Sequence, residues 1–96
     1  MASYELSGAA DRDLTEIYVY SYRQFGESKA DDYLLALHDC FALLADQPTM
    51  GRSIHYLRAG YFRFEHAHHT VFYLKTEGGI RIMRVLHERM DPERHL

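Results

Sequence analysis

The spacing of apolar residues predicts a strand and then a helix at the start of the chain. Residues 3–6 alternate between polar and apolar side chains, which indicates a short N-terminal strand. Over residues 8–25, apolar side chains recur every three or four positions and form one stripe, which is typical of an amphipathic helix. Ser7 stands before this stripe as an N-cap residue, and Gly26 follows it as a natural stop.

A second apolar stripe predicts another helix directly after the first. Its apolar residues run from Ala30 to Ala45, while Ser28 and Asp31 form a pair that resembles a capping box at its start. Pro48 closes the segment. Because the connection between the two helices is so short, we expect an antiparallel helical hairpin, whose apolar stripes need a further layer to cover them.

In the last third of the chain the period of the pattern changes from that of a helix to that of a strand. Residues 47–60 are predicted to form a long connection with little regular structure. Segments 61–65, 70–75 and 80–86 are rich in β-branched and aromatic residues and predict three strands. A short helical turn is expected at Pro92. The order β-α-α-β-β-β predicts an α+β fold, with the helical hairpin packed on a mainly antiparallel twisted sheet.

The composition agrees with one small globular domain over residues 1–96. Hydrophobic residues make up 47% of the chain and charged residues 26%, as in folded proteins. The longest apolar run, Cys40–Ala45, is much shorter than the roughly 20 residues of a membrane-spanning helix. No signal-peptide pattern is present, and a single cysteine excludes an internal disulfide framework. We therefore expect a cytoplasmic protein that does not contact a membrane.

The net charge is −3, and the charged residues are distributed unevenly along the chain. Residues 1–50 contain three Lys or Arg against nine Asp or Glu, whereas residues 51–96 contain eight against five. Two interpretations stay open at this point. Either the basic half binds a polyanion or an acidic protein, or the two halves neutralise each other across their own interface.

The histidines and the cysteine are poor candidates for special chemistry. His66, His68 and His69 lie close together in the sequence. Apart from the neighbouring Glu65, however, no cysteine or carboxylate stands at a spacing that suits a metal site. Their position between two predicted strands is typical of polar turn residues. Cys40 lies inside an apolar helical stripe and is predicted to be a core residue. We therefore expect neither a metal nor a cofactor.

Basic residues of the second half form the candidate contact surface. The chain contains no Gly-rich phosphate loop, nucleophile elbow or convincing carboxylate pair, so no catalytic residue is assigned. His87 is the one candidate for a general base. Strict alternation over the last strand would place Arg81, Met83, Val85 and His87 on one face and Ile80, Ile82, Arg84 and Leu86 on the other. The candidate target-binding residues are Arg58, Arg63, Arg81, Arg84, His87 and Arg89.

Several short motifs together resemble the ParE-type toxins of the RelE/ParE superfamily. The motifs follow the order of that family along essentially the whole chain, and the C-terminal one is the most specific. They are Tyr4–Ser7, Phe25–Gly26, Gly60–Arg63, His69–Tyr73 and Arg84–Asp91. The resemblance implies the toxin of a type II toxin–antitoxin pair, and its fold is the helical hairpin on a twisted sheet.

The resemblance also implies a target and a partner. ParE-type toxins poison DNA gyrase, whereas RelE-type relatives cleave messenger RNA on the ribosome with basic residues and a Tyr or His near the chain end. Here no tyrosine follows Tyr73, and the chain has only two lysines. This departure favours gyrase inhibition by binding, without catalysis and without sequence-specific binding of nucleic acid. A ribonuclease that uses His87, and a non-toxic binding module of the same fold, remain alternatives.

A ParD-like antitoxin is the partner that the resemblance implies. Its acidic, partly disordered tail would fold on binding, bury aromatic anchors and pair with arginines of the basic half. The candidate antitoxin-binding residues are Tyr18, Tyr22, Tyr61, Phe62 and Phe64.

Overall fold

A five-stranded sheet carries two long helices on one face in the computed structural model, which describes residues 2–96. The predicted α+β order is confirmed, with one additional short strand. The strands are β1 (Ser3–Leu6), β2 (Arg52–Ser53), β3 (Tyr61–His66), β4 (His69–Thr76) and β5 (Gly79–His87). The helices are α1 (Gly8–Phe25), α2 (Glu27–Asp46) and α3 (Pro92–His95), with a 3-10 turn at Pro48–Met50.

The ends of α1 follow the sequence signals, whereas the start of α2 does not. The Ser7 side chain accepts a hydrogen bond from the Ala10 amide at 3.0 Å, as an N-cap residue does. Gly26 adopts a φ of 89° between the two helices, a conformation that glycine reaches without strain. The capping box predicted at Ser28 and Asp31 is wrong, because α2 begins at Glu27 with no side-chain cap. The Asp31 carboxylate accepts the Tyr18 hydroxyl instead, at 2.7 Å.

The sheet has the order β1-β5-β4-β3-β2 and is antiparallel except between β1 and β5. The segment 47–60 is more regular than predicted, because it contains a 3-10 turn and strand β2. Arg52 of β2 pairs with Arg63 of β3, and Ser53 pairs with Phe62. So short a strand leaves no alternating pattern in the sequence, which is why the pattern predicted a loop there.

Two apolar clusters hold the layers together. The larger lies between the helices and the sheet, and its largest side chains include Leu37, Phe41 and Tyr73. The smaller covers the opposite face of the sheet and consists of Ile54, Tyr61, Phe72 and Leu86, with Leu57, Leu74, Met83 and Leu96 packed against it. We call this smaller group the second cluster. It is buried although no long helix lies over that face.

A β-bulge in β5 overturns the strict alternation expected for this strand. Tyr73 of β4 pairs with Ile82, but the preceding residue, Phe72, pairs with Arg84, so that Met83 is the extra residue. Beyond the bulge the faces exchange. Val85 therefore packs in the larger cluster with the helices. The alternation predicted from residue 80 to residue 87 holds only as far as Ile82.

Candidate functional site

Arg84 joins three parts of the molecule. Its Nε and Nη2 atoms donate to the two carboxylate oxygens of Asp13 on α1 at 2.8 and 2.9 Å. Its Nη1 atom donates to the backbone carbonyl of His95 at 2.8 Å. The hydrogen bond to Asp13 raises the pKa of Arg84 above its ordinary value, so the guanidinium stays charged. We call this arrangement of Asp13, Arg84 and His95 the Arg84 clamp.

The Arg84 clamp forms just beyond the end of β1. At this point one edge of β5 has no strand partner. The last paired residues of these strands are Leu6 and Ile82. Beyond them, the start of α1 satisfies the strand edge with its own polar groups. The Ser7 hydroxyl donates to the Met83 carbonyl at 2.8 Å, and Asp13 accepts the Val85 amide at 3.0 Å. The N-terminus of α1 therefore replaces a strand at this edge.

The C-terminal segment, residues 88–96, folds back toward the sheet. The Glu88 amide donates to the His68 carbonyl at 2.8 Å, which fixes the segment where it leaves β5. Asp91 caps α3 by accepting the Glu93 amide at 3.0 Å. Leu96 packs against the second cluster. Together with the Arg84 clamp, these contacts hold the segment against the second cluster.

A small cavity of about 90 Å³ brings Arg63 and His87 together, and Thr70 and Glu88 also line it. The Arg89 amide donates to Nδ1 of His87 at 3.1 Å, so the neutral imidazole carries its proton on Nε2. We call this space the Arg63 cavity. It lies at the junction of β3, β4, β5 and the C-terminal segment.

The remaining predicted target-binding residues lie elsewhere. Arg81 pairs with Glu5 of β1 at 3.2 Å, and Arg58 lies over the Tyr61 ring at 5.4 Å. Arg89 is exposed in the turn after β5. The structure therefore brings two of the six residues, Arg63 and His87, into one cavity and separates the others.

The predicted aromatic anchors differ in exposure. Tyr22 is 50% exposed, and Tyr18 lies one helical turn before it on α1. Phe62 and Phe64 are half-buried against the larger cluster. Tyr61 is only 7% exposed because it belongs to the second cluster, which leaves it little surface for a partner.

A largely apolar groove of about 300 Å³ runs beside Tyr18 along α1. Sequence reasoning did not identify this groove, because it forms only where α1, α2 and β1 meet. Its lining residues are Leu6, Asp11, Leu14, Thr15, Tyr18, Val19, Leu34 and His38. An exposed apolar groove with aromatic residues beside it marks a surface suited to a partner.

The histidines near the turn between β3 and β4 have separate contacts. The His68 imidazole lies 3.5 Å from the Glu88 carboxylate, and Nδ1 of His69 lies 2.6 Å from the Tyr33 hydroxyl. Residues 2–96 contain no group of three His, Cys, Asp or Glu side chains that could hold a metal ion. Cys40 is buried, and this burial raises the pKa of its thiol, as expected for a core residue.

Asp13 is the residue of the site that sequence reasoning overlooked. A carboxylate near the N-terminus of a helix is ordinarily explained by its interaction with the helix dipole alone. A stronger signal was present, because Asp13 lies three positions after Ala10 and four before Ile17. It therefore occupies the apolar stripe of α1, where a buried carboxylate needs a partner.

Comparisons with a family model and with individual proteins identify the same family. The family described as ParE toxin of type II toxin-antitoxin system, parDE, matches residues 4–92. Toxin ParE1 of Mycobacterium tuberculosis strain H37Rv is 40% identical over 94 residues, which cover 97% of this chain and 96% of that protein. Toxin ParE1 of Caulobacter vibrioides is 38% identical over 96 residues, which cover 100% and 99% of the two chains.

A solved structure described as a chromosomal ParDE TA system from P. aeruginosa has the same fold. It superposes with a TM-score of 0.75 at 19% sequence identity and covers 91% of this chain and 96% of its own. Separately, no helix within residues 2–96 is both long and apolar enough to span a membrane.

Proposed function

Because the chain belongs to the ParE toxin family of type II toxin–antitoxin systems, we propose that it inhibits DNA gyrase by binding and that a ParD-like antitoxin neutralises it in the cytoplasm. The toxin makes and breaks no bond in this proposal. The solved relative from P. aeruginosa is described as a ParDE system, which supports an antitoxin partner for this chain as well.

The occupied guanidinium of Arg84 is the observation that most supports binding over ribonuclease chemistry. A RelE-like mechanism draws on basic residues together with a Tyr or His near the chain end. Here all three guanidinium nitrogens of Arg84 donate within the molecule, to Asp13 and to the His95 carbonyl. The charge of Arg84 is therefore already balanced by Asp13, and among the residues that line the cavity beside His87 the basic one is Arg63.

Arg84 serves target binding indirectly in this account. Its clamp holds the C-terminal segment, in which Arg89 and Arg94 are exposed. Arginines of this kind can form bidentate contacts with carboxylates or DNA phosphates of a target. Loss of Arg84 would release the segment and with it the geometry of these contacts.

The antitoxin is proposed to use the apolar groove along α1. Val19 lines this groove and Tyr22 follows it on α1, and both side chains are exposed. Burial of such large apolar side chains is energetically favourable. A partner segment that buries such residues provides that cover. Tyr18 keeps its hydroxyl on Asp31, which orients its ring at the edge of the groove.

Two assays run side by side test the proposed function. The toxin is freed from its antitoxin, and gyrase supercoiling and ribosome-dependent cleavage of messenger RNA are measured with the same preparation. We expect inhibited supercoiling and intact RNA. Cleaved RNA with unaffected supercoiling would contradict the proposal.

A further inference from the structure

The loop between β2 and β3, residues 54–60, carries the most exposed large apolar side chain of residues 2–96. The Tyr56 side chain is 85% exposed, and the next in order, Leu35, is 63% exposed. Single exposed apolar residues are common on protein surfaces, so exposure alone assigns no role to Tyr56. The order and the charge of its loop distinguish it from the other exposed aromatic residues.

Hydrogen bonds and apolar contacts hold this loop in one conformation. The Ile54 amide donates to the Tyr61 carbonyl at 2.9 Å and closes the loop. Within the loop, the amides of Leu57 and Arg58 donate to the Ile54 carbonyl at 2.8 and 3.0 Å. Ile54 belongs to the second cluster, and Leu57 packs against it. The backbone that carries Tyr56 is therefore ordered in advance, which lowers the entropic cost of binding through this side chain.

The charge near Tyr56 is positive. Residues 47–64 contain three arginines and no acidic residue. Two of them, Arg52 and Arg63, pair with the Glu65 carboxylate at 2.9 and 3.2 Å. The third, Arg58, is exposed and forms no ion pair within residues 2–96. The loop therefore presents an exposed aromatic ring and, two positions later, a positive charge that no carboxylate balances.

The loop and the C-terminal segment lie on the same face of the sheet. Leu57 of the loop and Leu96 of the segment both pack against the second cluster, which covers the face opposite the two long helices. The apolar groove proposed for the antitoxin is lined by residues of α1, α2 and β1 instead. The loop thus extends the surface that carries the exposed Arg89 and Arg94.

We propose that loop 54–60 is a contact of the toxin with its protein target, in which Tyr56 enters an apolar pocket whose rim carboxylates pair with Arg58. This inference rests on the proposed function, because it names the surface used on gyrase. Tyrosine and arginine are the residue types that supply much of the binding energy at protein interfaces. A nucleic acid is less suited to the loop, since its binding depends on several cationic contacts with phosphates and the loop has one arginine and no lysine.

The first test measures the affinity of the toxin, freed from its antitoxin, for gyrase without DNA. We expect Tyr56→Ala to weaken binding roughly ten- to a hundredfold and Tyr56→Phe to keep most of it, because the ring is retained. Tyr20→Ala is the matched control, since Tyr20 is 62% exposed on α1, and it should bind as the wild type does. All three variants should keep the melting temperature of the wild type, because the altered side chains are largely exposed.

The second test compares Arg58→Gln with Arg58→Glu. Both variants lose the contact of the guanidinium with the Tyr61 ring, so they differ in charge and not in that packing. If the rim of the target pocket is acidic, Arg58→Glu should bind gyrase at least roughly tenfold more weakly than Arg58→Gln, and the difference should shrink at high salt. Equal affinities of these two variants would overturn the proposed acidic rim.

Three further results would overturn the inference. Equal gyrase affinity of the wild type and Tyr56→Ala would remove the loop from the target contact and leave the proposed function intact. Tight binding of a short DNA duplex by the wild type, lost in Tyr56→Ala, would assign the loop to nucleic acid. A loss of antitoxin affinity in Tyr56→Ala, with gyrase affinity unchanged, would assign it to the antitoxin. If the wild-type toxin neither binds nor inhibits gyrase, the proposed target fails together with this inference.

Discussion

The carboxylate of Asp13 on α1 forms a two-point ion pair with the guanidinium of Arg84 on β5, across a sequence separation of 71 residues. The two side chains are 10% and 25% exposed. In the other ion pairs of residues 2–96, at least one side chain is more than half exposed. Geometry and shielding from water both make this pair the strongest electrostatic link between the helical layer and the sheet.

Removing one member of this pair should therefore destabilise the fold. We expect Asp13→Ala to lower the free energy of unfolding by about 3 kcal/mol, because it leaves a shielded guanidinium and the Val85 amide without their acceptor. Urea denaturation measures the change. The matched control is Glu5→Ala, which breaks the exposed Glu5–Arg81 pair and should cost less than about 1 kcal/mol. Equal losses in the two variants would contradict this interpretation.

The fold was predictable from local signals that the final structure keeps. Ser7 and Gly26 bound α1 at the expected positions, since a cap acts within one helical turn. The strands β3, β4 and β5 were visible because their apolar and β-branched residues face buried clusters on both sides of the sheet. Periodicity is a direct consequence of burial, so these elements left a clear pattern.

Features that depend on distant partners were not predictable. The bulge at Met83 leaves no local signal, yet it exchanges the two faces of β5 for all later residues. The local pattern predicts Asp31 as a capping residue, but its carboxylate accepts a hydrogen bond from Tyr18 of the neighbouring helix. The candidate site was the least predictable part, because Arg84 contacts Asp13 and His95, which are distant from it in the sequence.

Acidification should destabilise the protein through His69. Burial lowers the pKa of His69 from 6.5 to about 4, with a further contribution from the neighbouring His87. Since the unfolded chain takes up the proton first, the stability due to neutral His69 is fully present above about pH 6.5 and is lost as the pH falls toward about 4. After allowance for partial exposure to solvent, we expect a loss of about 1–2 kcal/mol.

Urea denaturation at several pH values checks this dependence. His69→Asn should flatten the decline between about pH 6.5 and 4. Tyr33→Phe should keep most of the decline, because burial rather than the Tyr33 hydroxyl is the main cause of the shift. A wild-type stability that stays constant over this range would refute the assignment.

Gly51 should tolerate no side chain. A Cβ there would collide with the Tyr73 hydroxyl and lie 2.8 Å from the Arg63 carbonyl. That hydroxyl accepts the Gly51 amide at 3.0 Å and donates to the Pro48 carbonyl at 2.8 Å, so it cannot easily move. We expect Gly51→Ala to cost about 1–3 kcal/mol in urea denaturation.

Gly78 provides the control for this substitution. A Cβ at Gly78 would meet nothing within 4 Å, so Gly78→Ala should change stability by less than about 0.5 kcal/mol. Similar effects at the two glycines would show that Tyr73 and its surroundings adapt to the added methyl group.

The histidines around the β3–β4 turn are expected to bind no metal. Elemental analysis of toxin purified without a histidine tag should find no stoichiometric zinc or nickel, because His68 and His69 have separate protein partners. Stoichiometric metal that disappears in the double variant His66→Ala/His68→Ala would contradict this expectation.

Gyrase inhibition by toxin variants tests the central claim most directly. The toxin concentration that halves supercoiling is measured for the wild type, Arg84→Ala, a chain without residues 89–96, and His87→Ala. If binding carries the effect, loss of the Arg84 clamp or of the C-terminal segment should raise this concentration roughly ten- to a hundredfold, and His87→Ala should raise it only slightly. The opposite ranking, with His87→Ala inactive and RNA fragments formed by the wild type on ribosomes, would identify an endoribonuclease.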